Sequence, residues 1–151
     1  MKEPVLEPIL RKMRIRMVLP YLRRFPRCRL LDVGCGWEAR LLKSAEPYID
    51  SGVGIDFKAP ALESAKLRTI SVTLDDKLPF DDDSFDVVTL MAVLEHLEKP
   101  LQILREIRRV LRKPGQTTGG VDVYSWGGGG GYSGRDGAEQ GGEAGFGIFE
   151  L

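Results

Sequence analysis

The sequence predicts an α/β fold: a parallel sheet with flanking helices, incomplete on its C-terminal side and followed by a glycine-rich tail. Three observations carry this. Short apolar runs bounded by turn residues recur at 29–33, 52–57, 69–74 and 86–90. Stretches with apolar residues at helical spacing alternate with them, and strand–helix alternation implies parallel strands with helices on the sheet faces. Glycine is divided unevenly, with 14 of 18 residues in the last 37 positions, where a packed core cannot be built.

The first element is a helix across 5–24, with apolar residues at 6, 9, 10, 13, 17 and 18 and arginines filling much of the rest. Pro20 is expected to interrupt this helix or to start a second one. Residues 1–29 hold nine basic side chains against Glu3 and Glu7, a net charge of +7. Such a basic face suits an anionic substrate, RNA or lipid head groups, and is equally the solvated side of a cap helix. Arg29–Val33 reads as a buried first strand. Gly34-Cys35-Gly36 then turns into a helix through Ala45, with Leu41 and Leu42 inward. Strands follow at Gly52–Phe57, Thr69–Leu74 and Asp86–Leu90. Leu97, Leu101, Leu104, Ile107 and Leu111 mark a long amphipathic helix that stops at Lys113-Pro114-Gly115. The chain therefore divides into a basic helical cap (1–28), a sheet-and-helix core (29–115) and a low-complexity tail (116–151).

Composition sets outer bounds. At 151 residues the chain has the length of one domain. Lys+Arg and Asp+Glu both number 22, so no global attraction to DNA follows. No apolar run approaches the roughly 20 residues of a spanning helix. Cys28 and Cys35 lie seven apart, which fits neither a redox pair nor a zinc site and points to a reducing, cytoplasmic setting. No secretory leader is expected either, because charges come early and no sustained apolar stretch precedes Pro20.

The sharpest local feature is Asp32-Val33-Gly34-Cys35-Gly36. Its glycines allow a tight turn and close approach of a ligand to the backbone. Asp56 comes 20 residues after Gly36, at the end of the second strand, where a carboxylate can accept from two ribose hydroxyls. With Ala39 the loop also satisfies the dinucleotide fingerprint. Asp32 separates the two ligand classes. A pyrophosphate over this turn would be opposed by that acid, whereas a ligand presenting an ammonium and a sulfonium would be favoured. A tight turn with no ligand role is the remaining alternative.

Four ordered pieces, LLDVGCG (30–36), GVGIDF (52–57), LPFDDDSFDVV (78–88) and MAVLEHLEKP (91–100) leading to LREIRRVLRKPG (104–115), carry a resemblance. From about Arg29 to Gly115 the sequence resembles the class I, Rossmann-like S-adenosylmethionine-dependent methyltransferases. It looks closest to the small-molecule branch that includes enzymes of ubiquinone and menaquinone synthesis. The resemblance implies S-adenosylmethionine as cofactor and methyl transfer to a small-molecule acceptor; the balanced charge indicates no DNA partner, and the oligomeric state is left open. It implies that Asp32, Gly34 and Gly36 surround the methionine part of the cofactor and that Asp56 holds the ribose. Cys35 and Phe57 belong to the same cofactor set. Met91 and Ala92 are implied to line the pocket beneath the methionine moiety. The acid that reads adenine would lie four residues before the Leu of Leu-Pro-Phe. That place is Leu74, so the role passes to the neighbouring Asp75. The third glycine of the family's loop is Glu38, which would narrow the loop or reach the cofactor amine.

Other residues are weaker candidates. His96, the only histidine, is the single candidate for a catalytic base, against a structural or pocket-lining role. One His beside one Glu is too few ligands for a metal, and none is expected. Asp81-Asp82-Asp83 lacks the spacing of a calcium loop and reads as a polar turn. Trp37 is expected to pack over the glycine loop. Beyond Gly115 an apolar fifth strand would be expected, but Gln116-Thr117-Thr118-Gly119 stands there, and disorder is the default expectation. Val121–Tyr124 is the one segment able to form a strand. Codons for Gln-Thr-Thr-Gly read one nucleotide later can encode Arg/Lys-Leu-Leu-Val, which suggests a frameshift near codon 115; a genuine linker is the alternative. Two rivals to the methyltransferase reading remain: a degenerate cofactor-binding domain, and an NAD(P)-dependent oxidoreductase.

Overall fold

In the computed structural model, residues 7–75, 77–91, 93, 96–112, 123–126 and 147–149 are described. Glu7–Leu22 forms α1, Cys28–Val33 β1, Arg40–Ala45 α2, Ile49–Asp56 β2, Leu67–Ser71 β3, Val87–Met91 β4 and Pro100–Val110 α3. Val123–Trp126 and Gly147–Phe149 add β5 and β6. The sheet order is β3-β2-β1-β4-β5-β6, with β1 to β5 parallel and β6 antiparallel to β5. Strand order reverses at β1, whose neighbours are β2 and β4. That reversal opens a crevice at the carboxyl ends of β1 and β4, the general ligand position of such sheets.

Alternation along β1 and β4 sends side chains to two cores. Leu31, Val33, Val88 and Leu90 pack with Ile103, Ile107 and Val110 of α3 on one face. Cys28, Leu30 and Val87 pack with Val18 and Leu22 of α1 and Leu41, Leu42 and Ala45 of α2 on the other. Burying strands on both faces explains why their sequences are continuously apolar rather than alternating.

Several elements differ from expectation. Pro20 does not break α1; it sits in the final turn, and the helix ends two residues later at Leu22. A proline there removes a single backbone donor, where little helix is left to lose. α3 begins at Pro100, whose fixed φ suits the first helical position, and buries Ile103, Ile107 and Val110. Of the predicted row, Ile107 and Leu111 are buried and Leu97 and Leu104 pack against the same core, whereas Leu101 turns outward, 58% exposed. The connections from β2 to β3 and from β3 to β4 carry no helix among their described residues. In the tail, β5 runs beside β4 with Val88 opposite Val123 and Met91 opposite Trp126. The strand predicted at 121–124 is thus present with its register moved toward Trp126. Composition alone underrated it, because a paired strand satisfies its backbone through its neighbours whatever its glycine-rich flanks contribute.

The loop from Leu78 to Asp82 is fastened to α3 by one guanidinium. Arg109 donates from Nε to Glu106 Oε1 (2.9 Å) and from Nη2 to Glu106 Oε2 (2.7 Å) and the Leu78 carbonyl (3.1 Å). Its Nη1 donates to the Phe80 carbonyl and to Asp82 Oδ1, each at 2.8 Å. Glu106, almost fully buried, also accepts from the Leu78 N–H at 2.9 Å. Hydrogen bonds from Arg109 hold the Glu106 carboxyl below the usual carboxylate range, and Glu106 in turn raises Arg109. The acidic run is a turn, as predicted, with Asp83 at φ 54°.

Candidate functional site

The glycine loop leaves β1 with Gly34 at φ 77° and Gly36 at φ 71°, conformations that L side chains rarely adopt. The N–H groups of Gly34 and Cys35 both donate to the Ile55 carbonyl, at 2.8 and 3.1 Å, which ties the loop to the end of β2. A Cβ on Gly34 would stand 2.1 Å from Val93 Cγ2, so the loop closes against the segment after β4 only because no side chain intervenes. At Gly36 the same space is open, with nothing within 4 Å. Gly54 on β2 makes room for Cys35, whose Sγ would lie 2.9 Å from a Cβ placed there.

Two carboxylates bracket this loop. Asp56 Oδ2 accepts from the Gly36 N–H at 3.1 Å and Oδ1 from the Lys58 N–H at 2.9 Å. A carboxylate offers about four lone-pair positions, so about two remain for a ligand. Asp32 is 2% exposed and accepts a hydrogen bond from Thr89 Oγ1 at 2.7 Å. Burial pushes its carboxyl up to about 6; the Thr89 bond opposes this and the nearby Asp56 charge adds to it. Cys35 goes up to about 12, through burial and then the charges of Asp32 and Asp56. It therefore stays a protonated thiol, not the activated nucleophile that a helix N-terminus would produce.

Two clefts meet at Gly34 and Met91. The larger, of about 950 Å³, is lined by Gly34, Asp56, Phe57, Leu74, Asp75, Met91 and His96, with Thr73, Val93, Leu97, Glu98 and Lys99 completing the wall. The smaller, of about 210 Å³, is lined by Asp32, Gly34, Cys35, Gly36 and Met91 below, and by Arg11, Arg14 and Ile15 of α1 above. The predicted residues thus gather at one end of the sheet but split between two cavities. Asp32 faces the smaller cleft, on the α1 side, whereas Asp56, Phe57 and Asp75 face the larger. Phe57 is 67% exposed, and His96 is exposed at the rim. Trp37 stands 59% exposed on the smaller cleft instead of covering the loop. Glu38 is engaged by Arg40 and, at 3.7 Å, by Arg11. These partners hold its carboxyl below the usual range, the Arg40 hydrogen bond first among them. Ala92 lies outside the described residues.

Sequence reasoning missed Thr89 and Val93. A hydroxyl in the middle of an apolar strand was the available signal for Thr89, since a buried hydroxyl requires a partner. For Val93 no local signal exists, because its role depends on which loop faces Gly34.

Residues 31–118 match the family described as "Methyltransferase domain". Over 107 residues the chain is 36% identical to the demethylmenaquinone methyltransferase of Renibacterium salmoninarum, covering 66% of this chain and 43% of that protein. It is 34% identical over 111 residues to the mitochondrial ubiquinone biosynthesis O-methyltransferase of Candida albicans, covering 64% and 34% respectively. An S-adenosylmethionine dependent methyltransferase from Mesorhizobium loti superposes with a TM-score of 0.60 at 19% identity, over 87% of this chain and 62% of that one, which shows a shared fold. The chain spans less than half the length of these two curated relatives. With more than half of its residues matched to the family and its sheet ordered as described, the chain belongs to the class I, Rossmann-like methyltransferase domain family.

Proposed function

We propose that this chain binds S-adenosylmethionine across the two clefts that meet at Gly34 and Met91 and serves methyl transfer to a small acceptor. The observation that carries this reading is the pair of carboxylates, Asp32 and Asp56, on either side of the glycine loop. Two acids at this turn suit a ligand with cationic ammonium and sulfonium groups and oppose a pyrophosphate. The helix after the loop supports the same choice. α2 starts only at Arg40, behind Ala39 in a left-handed conformation, so no helix N-terminus is presented beside Gly36 for a phosphate.

The residues present fit the cofactor. Asp56 retains acceptor capacity for the ribose hydroxyls, and Phe57 offers an exposed apolar face beside it. Leu74 and Asp75 line the same cleft as candidates for the adenine end. Gly34 and Gly36 admit the ligand to within reach of backbone groups, and Met91 floors both clefts. When bound, the cofactor supplies a methyl group on a sulfonium that is already an excellent leaving group. The protein's tasks are alignment and exclusion of water. His96 lines the larger cleft and is the candidate proton acceptor where an acceptor group must first lose a proton. Two free cysteines fit a reducing, cytoplasmic setting for the reaction. Among the described residues no helix is long and apolar enough to cross a membrane.

Isothermal titration tests the reading. Saturable binding of S-adenosylhomocysteine, weakened at least tenfold in Asp56→Ala, is the expected result, because a charged acceptor is lost from the cleft. Binding of NAD in its place would sink the proposal.

A further inference from the structure

α1 is apolar on two opposite sides. One side, with Val18 and Leu22 buried and Ile15 and Leu19 partly buried, packs into the core formed with α2. The other carries Ile9, Met13 and Met17, which are 56, 47 and 42% exposed. Spaced four residues apart, they stand in one row along the helix, and the exposed Pro20 continues it. At 3.6 residues per turn these four positions fall within an arc of about 80°. Lys12 and Arg16, both exposed, border the row, and Arg24 and Arg27 extend the positive charge past the helix end. Core packing accounts for the first side of α1 and gives no reason for the second.

We propose that this outer face of α1 docks on an anionic lipid bilayer. The helix would lie in the interface with Ile9, Met13 and Met17 among the acyl chains and Lys12 and Arg16 among the headgroup phosphates. The combination of an apolar row and flanking cations is what an interfacial helix needs, since apolar burial and attraction to anionic lipid add together. Lys12 and Arg16, exposed along the edge of the row, supply the complementarity. A convex helix face about 17 Å long, from Ile9 to Pro20, also matches a planar surface. A second copy fits less well, because a two-fold contact through this face would oppose Lys12 and Arg16 to their own counterparts.

The test is flotation of the full chain with phosphatidylcholine vesicles, with and without phosphatidylglycerol. The expected result is partition onto the phosphatidylglycerol vesicles only, declining as salt is raised. Lys12→Gln with Arg16→Gln should weaken it by about 25-fold, at about fivefold per charge near the surface. Met13→Gln with Met17→Gln should weaken it about tenfold through lost apolar burial. Both variants should keep the parent's melting temperature, because all four side chains are exposed. Three results would overturn the proposal: no partition by the parent, partition indifferent to the methionine substitutions, or a dimer that those substitutions dissolve. Retention of RNA by the parent, with vesicles ignored, would assign the face to nucleic acid and overturn it equally.

Discussion

Replacing Asp32 by Asn should make the protein more stable and a poorer ligand binder at neutral pH. The carboxylate is 2% exposed, and its folded-state value of about 6 lies above the ordinary 3.8. Between those values the folded state holds a proton that the unfolded chain has released. Stability contributed by this group is therefore full below about pH 4 and is lost as pH rises through about 6. A shift of about two units costs about 3 kcal/mol once the group is ionised. Asn keeps an oxygen to accept from Thr89 Oγ1 and carries no charge, so it escapes that cost. The assay is urea unfolding of both proteins near pH 4 and near pH 8. The advantage of Asp32→Asn should grow by about 2.5 kcal/mol between the two conditions, as the linkage relation requires. A gap that stays constant, or narrows as pH rises, would refute the buried-charge argument. Titration of S-adenosylhomocysteine into the variant adds the functional half: affinity should fall several-fold, since a destabilising charge kept beside a loop is the signature of a binding role.

Gly34→Ala and Gly36→Ala should separate sharply in thermal melts. Both pay about 1–2 kcal/mol for a left-handed residue, but Gly34 also meets Val93 Cγ2 at 2.1 Å and Gly36 meets nothing. The Gly34 variant should melt well below the Gly36 variant, and equal melting would contradict the close approach of the two loops. Arg109→Ala should cost about 3 kcal/mol by stranding the buried Glu106, a loss of roughly 10 °C at the usual 2–4 °C per kcal/mol for a chain of this size. Adding Glu106→Gln should recover part of that loss, and strictly additive losses would show the pair to be uncoupled. Reading the gene around codon 115 in the +1 frame tests the tail: an apolar strand followed by further methyltransferase-like sequence is expected, and its absence would favour a genuine linker.

Strands β1, β2 and β4 were legible because burial on both faces leaves continuous apolar runs, which few other elements imitate. Gly34, Gly36 and Asp56 were legible for a different reason: their roles depend on backbone conformation and on position at a strand end, both local properties. What stayed hidden depends on tertiary placement. That Asp32 would face a cleft under α1, apart from Asp56, follows from the alternation of β1 between two cores. Of the row predicted for α3, Leu101 alone turns outward, and Ile103 and Val110 complete the buried face beside Ile107 and Leu111. β5 was obscured by its glycine-rich surroundings, since strand pairing is a property of the neighbour as much as of the segment.

A guanidinium has five N–H donors, and in Arg109 each is directed at its own acceptor: two oxygens on Glu106, the Leu78 and Phe80 carbonyls, and Asp82. The loop from Leu78 to Asp82 is therefore fixed to α3 by direct hydrogen bonds, without hydration as an intermediary. Lysine at this position would keep the charge and still fail. Its three donors radiate from one point, leaving at least two of the five acceptors without a bond from this side chain. The conservative exchange is here the one that should let the two segments slide.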